Sequence, residues 1–183
     1  MSDEVLVRNC APTLAGLKTG SLFNGRFSSK EAMVQELRVL NTKFASKGLR
    51  VIPLQCRAGK ALLYLYRPAC LKKDLNDREA LDLLQALGYP CQAPDLCVMK
   101  LIKKLQSCSE FPHEIGLFLG YPPADVRGFM ENKAENCKCV GTWKVYGDAD
   151  AARKTFSKFK KCTGVYCRML EKGSTVEQLA VAL

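Results

Sequence analysis

The stretch Leu49-Arg50-Val51-Ile52-Pro53-Leu54-Gln55-Cys56-Arg57-Ala58-Gly59-Lys60-Ala61-Leu62-Leu63-Tyr64-Leu65-Tyr66-Arg67 decides the fold. Its two runs rich in Val, Ile, Leu and Tyr, 49–56 and 60–67, flank Arg57-Ala58-Gly59 and predict a β-hairpin. Pro53 has no backbone N–H to give to a ladder, so the first strand is expected at a sheet edge or at a bulge. The second strand is apolar on both faces. A strand of that kind needs cover on both sides, from helices or, on one side, from a ligand.

On either side of the hairpin the pattern turns helical. Pro12 suits a first helical position and predicts a helix carrying Leu14, Leu17 and Leu22. Ser28 and Glu31 form a capping box, after which Met33, Val34, Leu37, Leu40 and Phe44 recur at helical spacing until Gly48. Beyond the hairpin, Asn76 caps a helix through Leu81, Leu84 and Leu87, another runs over 94–107, and two short ones are led by Pro112 and by Pro122-Pro123. The phrase Leu87-Gly88-Tyr89-Pro90 recurs as Leu119-Gly120-Tyr121-Pro122, which reads as shared stop-start chemistry: glycine in a left-handed position closes one helix and proline opens the next. Strands are predicted at about 142–146 and 165–170, around a helix over about 148–161 that breaks at Gly164. Ser174 and Glu177 make a second capping box before a short last helix. No Pro-, Gly- or Ser-rich linker interrupts this order. The expectation is a single α+β domain over 1–183, a small, mostly antiparallel sheet packed with several helices.

At 183 residues, 48% hydrophobic and 25% charged, the composition is that of folded soluble domains and excludes disorder, collagen-like repeats and simple coiled coil. The longest apolar run, 61–65 with its tyrosine neighbours, is far short of the roughly 20 residues of a bilayer span. Met-Ser-Asp-Glu at the start lacks the basic and then apolar character of a secretory signal. A cytoplasmic protein without membrane association is expected.

The formal charge is +10, and the segment from Lys133 to Lys172 holds ten Lys or Arg against four Asp or Glu, which makes +6 of it. Such a surplus favours anionic partners in general. Lys154, Lys158 and Lys161 fall on one face of a helix whose other side carries Ala152, Phe156 and Phe159. The first reading is a solvated lysine face over a phenylalanine core. A nucleic-acid footprint comes second, because no recognised binding motif accompanies it.

Ten cysteines without an export signal read as reduced thiols, metal ligands or core residues rather than a disulfide framework. Cys97 and Cys108 share an apolar side with Val98, Leu101 and Leu105 and are expected in the core. Cys56, Cys70 and Cys91 have no partner at chelating spacing. Cys137, Cys139, Cys162 and Cys167 have the right number for Zn or an Fe–S cluster, but their pairs, with one and four intervening residues, include no C-x-x-C. Residues five apart on a continuous helix diverge by about 140°, so Cys162 and Cys167 share an ion only if the helix ends at Gly164.

His113 is the only histidine and sits with Glu114 in a first helical turn. An imidazole there serves as a base, a hydrogen-bond donor or a metal ligand, and a His-Glu pair is also a candidate for acid-base catalysis. The competing reading is capping, in which both side chains satisfy free backbone N–H groups. Gly16-Leu17-Lys18-Thr19 lacks the glycine spacing of a phosphate loop, and no G-x-S-x-G elbow occurs.

Three phrases, Cys10-Ala-Pro-Thr-Leu-Ala-Gly-Leu-Lys-Thr-Gly20, Glu110-Phe-Pro-His-Glu-Ile-Gly-Leu-Phe-Leu-Gly-Tyr-Pro122 and Trp143-Lys-Val-Tyr-Gly147, carry a family likeness. Over nearly its whole length the chain resembles the small proteins of clostridia and related anaerobes grouped as domain-of-unknown-function family 3793. The resemblance implies a bacterial cytosolic protein and brings no activity and no catalytic residue. It indicates where to look: if the phrases meet, Lys18, Thr19, His113, Glu114, Tyr121, Lys144 and Tyr146 line one polar pocket. The expected function is binding or regulation through an anionic small molecule or cofactor. The alternatives are a thiolate Zn or Fe or redox protein built on Cys137, Cys139, Cys162 and Cys167, and an enzyme using His113 and Glu114.

Overall fold

The computed structural model describes residues 1–91, 93–107 and 110–183. In chain order the elements are α1 (Asp3–Leu14), β1 (Gly20–Arg26), α2 (Lys30–Ala45), β2 (Arg50–Arg57), β3 (Lys60–Tyr66), α3 (Pro68–Leu75), α4 (Arg78–Ala86), α5 (Pro94–Ser107), α6 (Ile115–Phe118), α7 (Pro123–Glu131), β4 (Cys139–Val140), β5 (Lys144–Val145), α8 (Ala149–Glu171) and α9 (Val176–Leu179). The class is α+β, with both sheets antiparallel. The chain divides into two compact units, Met1–Ala69 with Lys161–Leu183, and Cys70–Lys160. Among the described residues no helix is long and apolar enough to cross a membrane.

The hairpin is β2–β3. Arg57 pairs with Lys60, leaving Ala58 and Gly59 as a two-residue turn with φ +46° and +75°. Positive φ at both positions is the tight turn that follows the right-handed twist of its strands, and Gly59 takes it without steric cost. β2 is an edge strand, and the register slips between Pro53 and Gln55, so both readings of Pro53 hold: edge and bulge. β3 is central. Ala61, Leu63 and Leu65 enter the main core of this first unit, while Tyr64 and Tyr66, also buried, stack on its other face at 4.5 Å with parallel rings. The core is completed by Leu6, Val7, Cys10 and Leu14 of α1, Met33, Leu37, Leu40 and Phe44 of α2, and Val176 and Leu179 of α9.

Four expectations are corrected here. The first helix lies N-terminal to Pro12: Ser2 caps it, Asp3 and Glu4 occupy its first turn, and Pro12 sits inside its end. Pro12 therefore marks no helix start, and Leu22 belongs to a strand. That strand, β1, was not expected, because Gly20-Ser21-Leu22-Phe23-Asn24-Gly25-Arg26 has poor strand propensity and is organised by pairing with β3. The predicted strand at 165–170 is helix. α8 continues through Gly164, since one helical glycine costs only about 1 kcal/mol and Tyr166, Cys167 and Leu170 gain burial against the core. The predicted strand at 142–146 contracts to β5, which pairs with β4 in a ladder of its own and not with the hairpin.

In the second unit, α4, α5, α6 and α7 surround Leu84, Leu101, Leu105, Phe118 and Val126, all buried. Gly88 and Gly120 take φ +72° and +76° after α4 and α6, the left-handed closures expected of the repeated phrase. On α8, Lys154, Lys158 and Lys161 are exposed whereas Ala152 and Phe159 are buried, as the helical spacing predicts, and Phe156 is half-buried. Cys97 is 2% exposed and core, while Cys108 lies outside the described residues.

Candidate functional site

Within the second unit a cleft of about 380 Å³ opens between the turn before α6, the start of α7 and the β4–β5 ladder. Phe111, Ile115, Val126, Phe129, Val140 and Trp143 give it apolar walls, and His113, Tyr121, Asp125, Thr142 and Lys144 are its polar groups. Phe111 and Val140 are exposed at its rim.

The walls are positioned by one buried carboxylate. Asp125, 3% exposed in the first turn of α7, accepts from Trp143 Nε1 at 2.6 Å and from the backbone N–H groups of Tyr146 and Gly147 at 2.8 and 2.7 Å. It thereby ties α7 to the end of β5 and fixes the indole. Trp143 stacks on Tyr121 with centroids 4.7 Å apart and meets Phe156 of α8 edge-on at 4.6 Å. Gly141 is required for this approach, because a Cβ there would lie 2.2 Å from the Phe156 ring. Tyr121 points its hydroxyl at the Thr142 carbonyl, 3.4 Å away, and burial pushes its phenol up to about 12. It is a neutral donor at physiological pH.

His113 is exposed in the turn before α6, with its ring edge-on to Phe129 at 4.9 Å. Lys144 donates to the Ala134 carbonyl at 2.7 Å and lies 6.0 Å from the Phe129 centroid, leaving N–H directions for a ligand. These two groups and Tyr121 are the sequence-predicted residues that the cleft brings together.

The other predicted residues lie elsewhere. Glu114 is buried and does not line the cleft; its carboxylate accepts from Tyr89 Oη at 2.8 Å and Lys104 Nζ at 2.5 Å. It makes no capping bond. Burial alone would raise its pKa, but the bonds from Lys104, its own N–H and Tyr89 outweigh that and hold it below the usual carboxylate range. A depressed carboxylate pKa stabilises the fold fully above the unfolded value, and that stability is lost as pH falls through the folded value. Melting temperatures measured from about pH 6 to about pH 3 are therefore expected to fall on the acid side more in the wild type than in Glu114→Gln, which has no charge to lose.

Tyr146 gives its backbone N–H to Asp125, while its hydroxyl is buried without a hydrogen-bond partner. Lys18 and Thr19 belong to the first unit. There burial lowers the Lys18 ammonium to about 8, partly offset by Cys10, and the Thr19 carbonyl accepts from Arg67 N. Cys137 and Cys139 are half-buried in the second unit, Cys139 on β4. Cys162 and Cys167 are on unbroken α8, so the helix end that would let those two share an ion is not there. Among the described residues no group of three or more His, Cys, Asp or Glu side chains is placed to hold a metal ion.

Sequence reasoning missed Asp125, Phe129 and Phe111 as site residues and quoted Trp143 only within a phrase. An acidic residue shortly after Pro122-Pro123 reads as an ordinary helix-start residue. The chain's only tryptophan was the available signal.

No curated protein and no solved structure matches this chain. A family model does, over residues 6–180, and its description is "Protein of unknown function (DUF3793)". The chain belongs to that family.

Proposed function

We propose that the second unit binds a small, flat, largely apolar molecule carrying an acidic group. The observation that carries this reading is the aromatic cleft in which Trp143, Tyr121 and Phe129 stand beside His113 and Lys144. Its volume is within the range of small-molecule sites, and its makeup is theirs too: apolar walls with a few convergent polar groups. The aromatic faces supply stacking area, and Lys144 and His113 supply N–H donors for a carboxylate, sulfonate or phosphate. The charge of +10 adds long-range attraction for such a ligand.

Because Trp143 is the only tryptophan, its fluorescence reports this cleft alone. Titration with anilinonaphthalene sulfonate, a flat aromatic anion, is expected to quench Trp143 saturably. Lys144→Met is expected to weaken that binding about tenfold, the worth of one charge-assisted hydrogen bond, and to leave binding of the uncharged N-phenylnaphthylamine unchanged. Circular dichroism checks that the variant is folded. Unsaturable quenching, or equal affinity for the anion in the wild type, Lys144→Met and His113→Ala, would overturn the proposal.

A further inference from the structure

Cys91 and Cys97 stand apart from the cleft lining. The two thiols donate to successive carbonyls: Cys91 Sγ to Tyr89 O at 3.5 Å, Cys97 Sγ to Pro90 O at 3.3 Å. Cys91 is also near enough to Cys97 to help raise its thiol. Both cysteines are free, Cys91 half-buried and Cys97, in the first turns of α5, 2% exposed. Thiols held on the carbonyls of adjacent residues reach the roughly 2 Å of an S–S bond by local rearrangement.

We propose that Cys91 and Cys97 are an oxidisable dithiol site that closes to an intramolecular disulfide, with a low-molecular-weight disulfide as oxidant. Cys91, the more accessible, loses its proton and attacks one sulfur of the oxidant. That bond breaks, one small thiolate leaves, and Cys91 is held as a mixed disulfide. Cys97 then loses its proton and attacks Cys91 Sγ, forming the Cys91–Cys97 bond and expelling the second small thiolate. The two protons go to the two released thiolates, so two protein thiols are oxidised and one small disulfide becomes two small thiols.

The burial that raises the Cys97 thiol to about 11 slows its attack but also favours the closed form, since a thiolate the protein does not stabilise gives no driving force for reduction. Closure joins the Tyr89 segment to α5 covalently. These two are already in contact: Lys100 donates to Gly88 O, and the Lys100 and Lys104 ammonium groups lie 5.6 and 5.2 Å from the Tyr89 ring centroid.

The sequence supplies a clean assay. No Lys or Arg lies between Arg78 and Lys100, so one tryptic peptide, 79–100, carries both thiols and no other cysteine. The reduced full-length protein is incubated with oxidised glutathione, alkylated and digested. The expected product is that peptide without an alkyl group and about 2 Da lighter, restored by dithiothreitol. In folded Cys97→Ala the reaction is expected to stop at a glutathione adduct on Cys91. The proposal is overturned if wild-type Cys91 stays glutathionylated while Cys97 is alkylated, or if both thiols are alkylated as in untreated protein.

Discussion

Arg67→Met is expected to destabilise the protein by about 3–5 kcal/mol, lowering the urea midpoint by about 2 M at an m-value of about 2 kcal/mol/M. Arg67 is 1% exposed, and its guanidinium donates to four carbonyls: Thr13 through Nε at 2.8 Å, Lys47 through Nη1 at 2.9 Å, and Leu14 and Val181 through Nη2 at 2.7 and 2.8 Å. Thr13 and Leu14 end α1 and Lys47 follows α2. Helix ends leave carbonyls without intrahelical partners and concentrate partial negative charge, which a buried planar cation answers several at a time. Methionine fills similar volume and satisfies none of them. Arg67→Lys retains the charge but loses the fork, so its midpoint is expected between those of the wild type and Arg67→Met. Urea denaturation followed by far-ultraviolet circular dichroism measures both.

Asp125→Ala is expected to cost about 3–5 kcal/mol and to shift Trp143 emission to the red. Three donors lose their acceptor at once, two of them backbone N–H groups that open the segment between β5 and α8. The indole, no longer fixed, then moves toward water. Asp125→Asn separates the two effects. One amide oxygen accepts from the backbone pair, but the amide NH₂ then faces the indole N–H, donor against donor. This variant is expected to lose only about 1–2 kcal/mol while still releasing Trp143. Thermal melts and tryptophan emission spectra, recorded together, check the ordering. Equal stability of Asp125→Ala and the wild type would remove the carboxylate from its position as the keystone of the cleft.

The starts of α2, α4 and α9 were legible in the sequence to one residue, whereas α1 was misplaced, α3 was not expected and α8 runs ten residues further, and the three predicted caps failed in the same way. The structure uses Ser29, Asp77 and Thr175, where the pattern points to Ser28, Asn76 and Ser174. Each pair consists of neighbours equally able to accept from a helix N–H, so local chemistry cannot choose between them. Packing of the apolar face sets the register. The hairpin was legible because its turn and its β-branched and aromatic residues agree. β1 was not, because its glycines oppose its strand state and only the β3 ladder selects it. For the cleft, His113, Tyr121 and Lys144 were found as polar groups in memorable phrases. Their aromatic surroundings and Asp125 depend on how α7 meets the β4–β5 ladder, and no periodicity encodes that. Cys91 and Cys97 were separated by the same limit: they share neighbouring carbonyls, those of Tyr89 and Pro90, which no spacing rule encodes.

The first unit draws on two stretches of chain separated by the whole of the second, and Val176, Leu179 and the Val181 carbonyl belong to its core and its arginine clamp. During synthesis the ribosome therefore delivers the hairpin and its two helices long before the pieces that finish them. The 70–160 stretch, uninterrupted in the message, has all its parts as soon as it emerges and is free to fold first. Until the late pieces arrive, the nascent hairpin waits with unfilled apolar surface, and this interval is when a chaperone has the most to hold.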